Sequence, residues 1–407
     1  MKKIKWQFLA GSLMLVVMVG SAVAFSGYLS TFRTQYAATG TVLNTCSLCH
    51  PGGNTGNLNN YADDYAASGY NFTTIENLDS DGDGYPNLVE INARTFPGDA
   101  ASFPAPAPLS NDVSNDGISD LFLRNSVSGQ VSLWLMNNDG TSASDAVLIR
   151  NLDWTIVGTG DVNKDGRADI LWRNNVTGQS VLWFMNADGT RLGASKTLLN
   201  NVDWIIAAIG DVNADGVADI LWRNNVTGQS VLWFMNADGT RLGASKTLLS
   251  NVNWTIAGVG DVNADGRADI LWRNNVTGQS VLWFLNADGT RLGASKTLMT
   301  SVNWTISGIG DINADGAADI LWKNTATGQS IIWFMNADGS RASYKRLLTS
   351  TAWAIVATGN YNGDRIRDIL WRNATNGQTV LWFMNADGSR ASFKTLFTNP
   401  SWIVVPQ

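Results

Sequence analysis

The chain repeats itself with a period of about fifty residues from residue 112 to its last residues. Each copy has an acidic turn, then a segment such as Asp-Ile-Leu-Trp-Arg-Asn, then one such as Leu-Trp-Phe-Met-Asn-Ala-Asp-Gly. The six acidic turns are separated by 49, 50, 50, 50 and 49 residues and begin at Asp112, Asp161, Asp211, Asp261, Asp311 and Asn360. This period is typical of solenoids, propellers and other arrays in which each repeat forms one structural unit.

Each repeat has the pattern of four short β-strands. In one copy, segments rich in β-branched and aromatic residues occupy 154–158, 169–173, 180–185 and 191–199. Asn175-Val-Thr-Gly178 and Asn186-Ala-Asp-Gly189 separate these segments with residues suited to hairpin turns. Four antiparallel strands repeated around an axis predict an all-β fold, a β-propeller, and six acidic turns predict six blades.

The two ends of the repeat region predict a closed ring. The first repeat begins at its acidic turn and lacks the preceding strand, whereas the chain finishes with such a strand at Trp402-Ile-Val-Val-Pro. A blade completed by the C-terminal strand leaves no unpaired edge. An open β-solenoid is the alternative. Small residues at Ala257, Gly258 and Gly260 predict that the strand before each acidic turn is innermost.

The acidic turns have the spacing of calcium ligands. Oxygen-bearing side chains occupy positions 1, 3, 5 and 9 and glycine occupies position 6, an arrangement that suits hard cations; the alternative is that Asp-Gly simply favours a turn. The predicted ligands are Asp112, Ser114, Asp116 and Asp120; Asp161, Asn163, Asp165 and Asp169; Asp211, Asn213, Asp215 and Asp219; Asp261, Asn263, Asp265 and Asp269; Asp311, Asn313, Asp315 and Asp319; and, in a weaker sixth site, Asn360, Asn362, Asp364 and Asp368. The sixth turn is weaker because it loses one charge and has Arg365 in place of the glycine.

An acidic turn followed by Asp-Ile-Leu-Trp resembles the FG-GAP (VCBS-type) repeats of integrin-like propellers and of related lectin propellers. The resemblance covers about 300 residues. It implies calcium on one face of the propeller and ligands on the opposite face or between blades. The family includes adhesion, sugar-binding and scaffolding members, so the resemblance does not identify a ligand.

Two repeated sets of side chains have alternative interpretations. The tryptophans of each blade, such as Trp172, Trp183 and Trp204, suit either the core between blades or stacking on sugars. A basic ring suits either internal pairing or an anionic ligand: Arg124, Arg173, Arg223, Arg273, Lys323 and Arg372. The repeats contain no histidine or cysteine, which argues against catalysis by a nucleophile and base, so we do not expect an enzyme here.

The region before the repeats contains both cysteines and the only histidine of the chain, in Cys46-Ser-Leu-Cys49-His50. This spacing predicts covalent haem c, with two thioether bonds and His50 as axial iron ligand. A disulfide or a thioredoxin-like redox pair is less consistent with the surrounding pattern, and zinc would need a fourth ligand. No methionine lies between Phe25 and Asn125, so the usual sixth iron ligand is missing. The alternatives are a five-coordinate iron, an unusual ligand or a ligand from a neighbouring molecule. Electron transfer, small-ligand binding and peroxidase-like chemistry therefore all stay open.

A twelve-residue segment of the same region fits an EF-hand calcium loop. The predicted ligands of this single calcium ion are Asp79, Asp81, Asp83, Tyr85 through its carbonyl, Asn87 and Glu90. Segments 72–78 and 88–93 are expected to be short flanking helices. Residues 45–100 also resemble small monohaem modules with a trailing Asp-x-Asp-Gly-Asp-Gly loop in bacterial exported proteins, which implies a cytochrome.

Four segments follow: a signal peptide (1–24), a small, mainly α haem module (25–102), a proline-rich linker (103–109) and the propeller (110–407). Lys2, Lys3 and Lys5, an apolar stretch and Ala22-Val-Ala24 indicate export, with an uncleaved membrane anchor as the alternative. Cleavage leaves 25 basic and 34 acidic residues, which argues against nucleic acid. The expected location is the periplasm or the bacterial cell surface, without a membrane span.

Three functions are consistent with this sequence. The first is an exported monohaem cytochrome whose propeller docks it to a redox partner or an extracellular polymer. The second is a glycan-binding or adhesive propeller with an accessory haem. The third is a haem enzyme such as a peroxidase. Calcium is expected once in the haem module and in up to five or six propeller turns.

Overall fold

The computed structural model describes residues 27–36, 38–53, 56–76, 78–82, 86–102 and 111–405. The chain divides into two compact units, residues 1–105 and residues 106–407, here called the head and the propeller. The predicted signal peptide (1–24), the predicted linker (103–109) and two predicted calcium ligands, Asp83 and Tyr85, lie outside the described residues.

The propeller consists of six four-stranded antiparallel sheets, which we number as blades 1 to 6. Blade 1 contains β1 (Leu121–Asn125), β2 (Gln130–Met136), β3 (Ser142–Arg150) and β24 (Trp402–Val404); blade 2 contains β4 (Trp154–Gly160), β5 (Asp169–Asn174), β6 (Gln179–Met185) and β7 (Arg191–Asn200); blade 3 contains β8 (Trp204–Gly210), β9 (Asp219–Asn224), β10 (Gln229–Trp233) and β11 (Lys246–Ser250). Blade 4 contains β12 (Trp254–Gly260), β13 (Asp269–Asn274), β14 (Gln279–Leu285) and β15 (Arg291–Thr300); blade 5 contains β16 (Trp304–Gly310), β17 (Asp319–Asn324), β18 (Gln329–Met335) and β19 (Arg341–Thr349); blade 6 contains β20 (Trp353–Gly359), β21 (Asp368–Asn373), β22 (Gln378–Met384) and β23 (Arg390–Thr398). The predicted six-bladed propeller is confirmed.

The C-terminal strand closes the ring, as predicted. β24 pairs antiparallel with β1, with Leu123 opposite Val404 and Asn125 opposite Trp402. The backbone N–H of Val405 then donates to the carbonyl of Phe122 at 2.8 Å. Blade 1 is therefore a complete four-stranded sheet assembled from distant parts of the chain, and the solenoid alternative is excluded.

The first strand of each blade lies nearest the axis, because strands such as β8, β12 and β16 contact one another between adjacent blades. Space for a side chain is limited there, and the equivalent positions carry only glycine or alanine. A Cβ atom on Gly258 would lie 3.1 Å from Cγ2 of Ile309 in the next blade. The small residues of this strand, predicted from crowding near the axis, are therefore confirmed as packing positions.

Apolar cores fill the spaces between neighbouring blades. Ile170 and Trp172 of blade 2 pack with Phe122 and Leu133 of blade 1, and all four side chains are at most 1 % exposed. The same arrangement recurs with Trp222, Trp272, Trp322 and Trp371. Truncating a buried tryptophan of this kind typically costs about 3–5 kcal/mol, so these cores dominate the stability of the ring.

Ion pairs join adjacent blades on the outer strands. Lysines of blades 2 to 6 face aspartates of the following blade in five pairs: Lys196–Asp238, Lys246–Asp288, Lys296–Asp338, Lys345–Asp387 and Lys394–Asp139. The last pair, at 3.5 Å, links blade 6 back to blade 1. Blade 1 has Ala146 at the register position of Lys196, so the boundary between blades 1 and 2 lacks this pair.

The head is a small helical unit. Its elements are α1 (27–35), two 3₁₀ turns (Cys46–Leu48 and Pro51–Gly53), α2 (Asn60–Ala67), α3 (Phe72–Ile75) and α4 (Asn87–Ala93). Aromatic rings form its core, and those of Tyr65 and Phe72 stack with centroids 3.8 Å apart. The short helices predicted on either side of the acidic loop correspond to α3 and α4. Among the described residues, none of the helices combines the length and apolar character needed to cross a bilayer.

Candidate functional site

The Cys-x-x-Cys-His motif is folded into a tight turn. Cys46 begins a 3₁₀ turn that is capped by Thr45, whose hydroxyl accepts from the N–H of Ser47 at 3.0 Å. The N–H groups of Cys49 and His50 both donate to the carbonyl of Cys46, at 3.2 and 3.0 Å. The turn therefore brings the two thiols and the imidazole onto one short stretch of backbone.

The imidazole of this motif is buried and the second thiol is half-buried. His50 is 5 % exposed, and its Nδ1 lies 2.8 Å from the carbonyl oxygen of Asn57. A carbonyl at this distance accepts a proton held on Nδ1, which leaves the lone pair on Nε2, the nitrogen suited to ligate a metal. Burial, with a smaller effect of Cys46, raises the pKa of the Cys49 thiol to about 11. Neither cysteine forms a disulfide.

The EF-hand-like loop packs against α2. Ser80 donates its hydroxyl to Asp64 Oδ2 at 2.7 Å, and Asn87 donates its amide to the Ile75 carbonyl at 2.7 Å and to Ser80 Oγ at 2.8 Å. Asp79 Oδ1 accepts from the N–H of Gly82 at 2.8 Å. Asn87, predicted as a ligand, is thus already engaged within the protein, in a role that holds the loop to α2 and α3.

Glu90, the predicted ligand at loop position 12, lies in the first turn of α4 and its side chain is completely buried. A buried carboxylate is costly unless nearby groups compensate its charge. Oxygen donors of this kind match the chemistry that calcium prefers. Asp79, Asp81 and Glu90 thus have the donor chemistry of a calcium site, although the described residues of the head contain no cluster of three or more such side chains arranged around a metal.

The acidic turns of the propeller are held by their own side chains. In blade 2, Asp161 accepts from the N–H groups of Asp165 and Gly166 at 3.1 and 2.8 Å, and Asn163 donates to Asp165 Oδ2 at 3.0 Å. The residue at position 4, Lys164, has a φ of 61°, and the other five turns also place a non-glycine residue in the left-handed region. The turn is thus tightly wound, with positions 1, 3 and 5 close together.

The aspartate at position 9 has a role that the sequence analysis missed. Asp169 is completely buried, and its two carboxylate oxygens accept from the N–H groups of Val162 and Met185 at 3.1 and 3.0 Å. These bonds fasten the acidic turn to β6. The same pair of bonds is made in all six blades, by Asp120, Asp169, Asp219, Asp269, Asp319 and Asp368.

Burial makes these carboxyl groups hard to ionise without a cation. It raises the pKa of Asp169 to about 7 and that of Asp269 to about 8, although the backbone N–H groups oppose the shift. The pKa of Asp261, at position 1 of its turn, is also raised to about 7, by burial and then by the charge of Asp265. A divalent cation would relieve this crowding of carboxylates, so the donor chemistry of the turns fits calcium.

The turns are not equivalent in their surroundings. Arg167 and Arg267 pair with the position-5 aspartates of their own turns at 3.3 and 3.2 Å, whereas position 7 of blade 3 is Val217. In the part of the chain that the structure describes, no group of three or more His, Cys, Asp or Glu side chains is arranged as a metal-binding cluster. Calcium also accepts amide and backbone oxygens, so a site here depends on those donors as well.

The basic ring on the face opposite the acidic turns is engaged within the protein. Arg173 donates to the carbonyl of Gly178 at 3.3 Å and to that of Val202 at 2.9 Å. The guanidinium therefore ties the Asn-Val-Thr-Gly turn to the linker between blades. Equivalent bonds are made by Arg124, Arg223, Arg273, Lys323 and Arg372, so the internally paired alternative is confirmed.

The tryptophans are mainly part of the cores between blades. Trp172 is 1 % exposed, and its ring lies 5.0 Å from that of Trp183 at an angle of 52°. The guanidinium of Arg191 lies over the ring of Trp183, with its Cζ 4.8 Å from the ring centroid. This Trp–Trp–Arg stack recurs in blades 3, 4, 5 and 6.

Open clefts lie beside two of these stacks. The cleft between blades 1 and 2 has a volume of about 520 Å³, and the one between blades 3 and 4 has about 250 Å³. Both contain the tryptophan pair, a glutamine from the third strand and an arginine from the fourth. Only the larger one adds an arginine from the facing blade, Arg150. The clefts lie between blades, one of the two locations implied for ligands of this kind of repeat.

Comparison with known proteins finds the FG-GAP-like repeat, whose family model matches residues 112–172, 161–222, 211–272 and 261–322. A comparison with curated protein sequences finds no match. Among solved structures, a chain of a nidogen/laminin complex is 13 % identical over 70 % of this chain and 96 % of its own length, with a TM-score of 0.48.

Two further solved structures are similar to the chain at this level. The Tc holotoxin pore of Photorhabdus luminescens is 14 % identical over 68 % of this chain and 14 % of its own, with a TM-score of 0.45. Prolyl oligopeptidase B from Galerina marginata is 10 % identical over 70 % of this chain and 43 % of its own, with a TM-score of 0.41.

Proposed function

Because this chain belongs to the FG-GAP-like repeat family, which forms a binding-type β-propeller, we propose that the propeller docks an exported monohaem c-type cytochrome to its partner. In this proposal the head transfers electrons. The propeller, stabilised by calcium, binds a redox partner protein or an extracellular polymer. The proposed location is the periplasm or the cell surface of a bacterium.

The observation that carries the cytochrome proposal is the contact between His50 and the carbonyl of Asn57. Axial histidines that bind metals usually donate their other ring N–H to a carbonyl or carboxylate, which orients the ring and selects the tautomer. His50 makes this contact at 2.8 Å, directly after a turn that presents Cys46 and Cys49. Two thiols and a pre-oriented imidazole are the donor set for covalent haem.

The residues of the head would each contribute one part of the site. Cys46 and Cys49 would hold the group through thioether bonds, and His50 would ligate the iron. When bound, haem supplies a one-electron couple. Leu48 and Cys49 belong to the aromatic core of the head, and such apolar surroundings exclude water and tune the reduction potential.

Calcium is proposed as a structural ion in both units. In the propeller, positions 1, 3 and 5 of each acidic turn supply the oxygens, and position 9 holds the turn to the sheet. The turns of blades 1, 3 and 5 are better candidates than those of blades 2 and 4, because no arginine pairs with their position-5 aspartates among the described residues. The sixth turn is the weakest, since it begins with Asn360.

A pyridine haemochrome assay on the secreted full-length protein tests the cytochrome proposal. We expect one c-type haem per chain, and we expect Cys46→Ser and Cys49→Ser to reduce covalent haem sharply. Ser47→Ala, between the two cysteines, is the matched control and should retain haem. A colourless wild-type protein, expressed where haem attachment to a parallel cytochrome control succeeds, would contradict the proposal.

A reduced spectrum recorded with and without carbon monoxide separates electron transfer from ligand chemistry at the iron. An unchanged spectrum supports electron transfer, because it indicates that both axial positions are filled. Avid binding of carbon monoxide would indicate an open iron and favour a peroxidase-like enzyme, the third function considered above. The absence of methionine between residues 25 and 125 makes this comparison informative.

Glycan binding is the second candidate function, and the clefts between blades favour it. They combine indole rings with amide, hydroxyl and guanidinium donors, a mixture suited to the apolar faces and hydroxyl groups of sugars. A broad glycan array in the presence of calcium tests this function. Failure to bind any glycan would remove it and leave protein docking.

A further inference from the structure

We propose that the cleft between blades 1 and 2 binds an acidic saccharide, a sugar unit that carries a carboxylate. This inference deepens the docking role proposed above, because it names the chemistry of the docked polymer. It does not depend on haem in the head. The site is built from the last residues of β3 in blade 1 and from the face of blade 2.

The size of the cleft selects it over its relative between blades 3 and 4. Pockets that enclose small ligands have volumes of about 300–1,000 Å³. The cleft between blades 1 and 2, at about 520 Å³, lies within this range, whereas the other, at about 250 Å³, lies below it. Blades 2 and 4 contribute equivalent residues, so the difference comes with the facing blade.

The lining of the cleft is rich in hydrogen-bond donors and has no acidic side chain. Arg150, Arg191, Gln179 and Thr197 contribute polar groups, and no Asp or Glu lines it. Within the described residues neither arginine forms an ion pair with a carboxylate. Two unneutralised guanidinium groups beside one cavity attract an anionic ligand, and arginine matches a carboxylate with two parallel hydrogen bonds.

Both arginines are held in place before a ligand arrives. Arg191 lies on the ring of Trp183, and Arg150 donates its Nε to Oε1 of Gln130 at 3.2 Å. Less side-chain entropy is therefore lost when they bind. Apolar surfaces of Ile149 and Val181 lie in the same cleft, so the expected ligand has C–H faces as well as an anionic group. A uronic acid unit has both.

Arg150 distinguishes blade 1 from the other blades at this position. It lies opposite Gln130, at the end of the outer strand of blade 1. The corresponding positions in blades 2 to 6 carry only neutral side chains: Asn200, Ser250, Thr300, Thr349 and Thr398. This arginine, at the rim of the larger of the two clefts, gives blade 1 a charged group that the equivalent position of the other blades lacks.

Calorimetric titration of the full-length secreted protein with tri-galacturonic acid at low ionic strength tests the proposal. We expect the free acid to bind at least about tenfold more tightly than its methyl ester, because each charge-assisted hydrogen bond is a strong one. Arg150→Thr, which introduces the residue found in blade 4, should remove most of this difference.

The matched control is Arg291→Thr in the cleft between blades 3 and 4, which should bind the free acid as the unchanged protein does. Equal binding of the acid and its ester, or unchanged binding by Arg150→Thr, would overturn the proposal. Binding of only a sulfated, carboxylate-free oligosaccharide would overturn the carboxylate assignment. Haem absorbance recorded on the same samples reports the cytochrome proposal separately, and binding of neutral glycans alone would retain docking but reject this site.

Discussion

The head contains one copy of its proposed functional side chains, whereas the propeller repeats its own in every blade. In the head, the groups proposed to bind haem occur once each, as Cys46, Cys49 and His50. In the propeller, the buried position-9 aspartate and its two hydrogen bonds occur in all six blades. A change in the head should therefore abolish a property, whereas a change in one blade should reduce a property that the other blades share.

The largest expected effect is complete loss of haem from a head variant with no loss of propeller stability. Replacing both Cys46 and Cys49 with alanine removes both thioether bonds, so we expect no covalent haem on a denaturing gel. Calorimetry of the same protein should show an unchanged propeller transition. A propeller transition that shifts with the head variant would break the distinction between the two units.

The next largest effect is expected from a substitution in β24, the strand that closes the ring. Val404 is 3 % exposed on the closing strand, and Val404→Asp would bury a charge there, which should lower the free energy of unfolding by about 3 kcal/mol or more. The neighbouring Ile403, 36 % exposed, is the matched control. Ile403→Asp should change the free energy of unfolding by less than about 1 kcal/mol. Urea unfolding measures both; equal effects would argue against closure by this strand.

A position-9 aspartate should matter more than an exposed aspartate, with a cost comparable to that of the closure. Asp219→Ala leaves the N–H groups of Met235 and Val212 without their acceptor, at about 1–3 kcal/mol for each buried donor. Asp238→Ala removes an aspartate on an exposed turn and should cost less than about 1 kcal/mol. Thermal unfolding distinguishes them, and similar values would show that the position-9 bonds do not hold the turn.

Chelation and pH should act together on the propeller. In EDTA, carboxyl groups such as Asp219 and Asp269 have a folded pKa of about 7 and about 8, raised by burial from the ordinary 3.8. Their protonated form is favoured in the folded state, so their contribution to stability is full below about pH 4 and is lost as the pH rises through about 7 to 8. Without calcium the melting temperature should fall between about pH 5 and pH 8.

Calcium binds the ionised carboxylates, so the stabilisation it gives should be larger at the upper end of this pH range. Melting curves with calcium or with EDTA at each pH measure the difference. Asp211→Asn with Asp215→Asn should reduce the calcium effect without removing it, since other blades retain their turns. A melting temperature that is the same in calcium and EDTA at every pH would contradict calcium in these turns.

The smallest effect is expected from the ion pair that links the last blade to the first. Lys394 and Asp139 are 3.5 Å apart and their side chains are 34 % and 62 % exposed. Lys394→Ala should therefore lower the free energy of unfolding by less than about 1 kcal/mol. Lys345→Ala, which breaks an equivalent pair between blades 5 and 6, is the control. A much larger loss for Lys394→Ala would indicate that this pair has a special role in closure.

The repeat made most of the propeller predictable. Its period predicted the number of blades, and the lone strand at Trp402 predicted how the ring closes, because an incomplete first blade needs a fourth strand. The glycines near the axis were predictable from crowding. These features depend on spacing along the chain, which the sequence contains directly.

The parts that were not predicted depend on contacts between distant residues. Asp169 was interpreted only as a metal ligand, since the sequence does not indicate that its carboxylate meets the N–H of Met185 in the third strand. The partner of His50 is a backbone carbonyl, and any residue could supply it. Arg150 did have a signal, its departure from the repeat at the end of an outer strand, but its position in a cleft required the fold.

The closing strand also has a consequence for how the chain is made. Ser126 of blade 1 donates its backbone N–H and its hydroxyl to the carbonyl of Ser401, 275 residues later. One edge of the first blade, the free side of β1, therefore stays unpaired until nearly the whole polypeptide has been synthesised. Closure of the ring is therefore a late step, whereas the sheets of blades 2 to 6, each built from consecutive strands, need no later part of the chain.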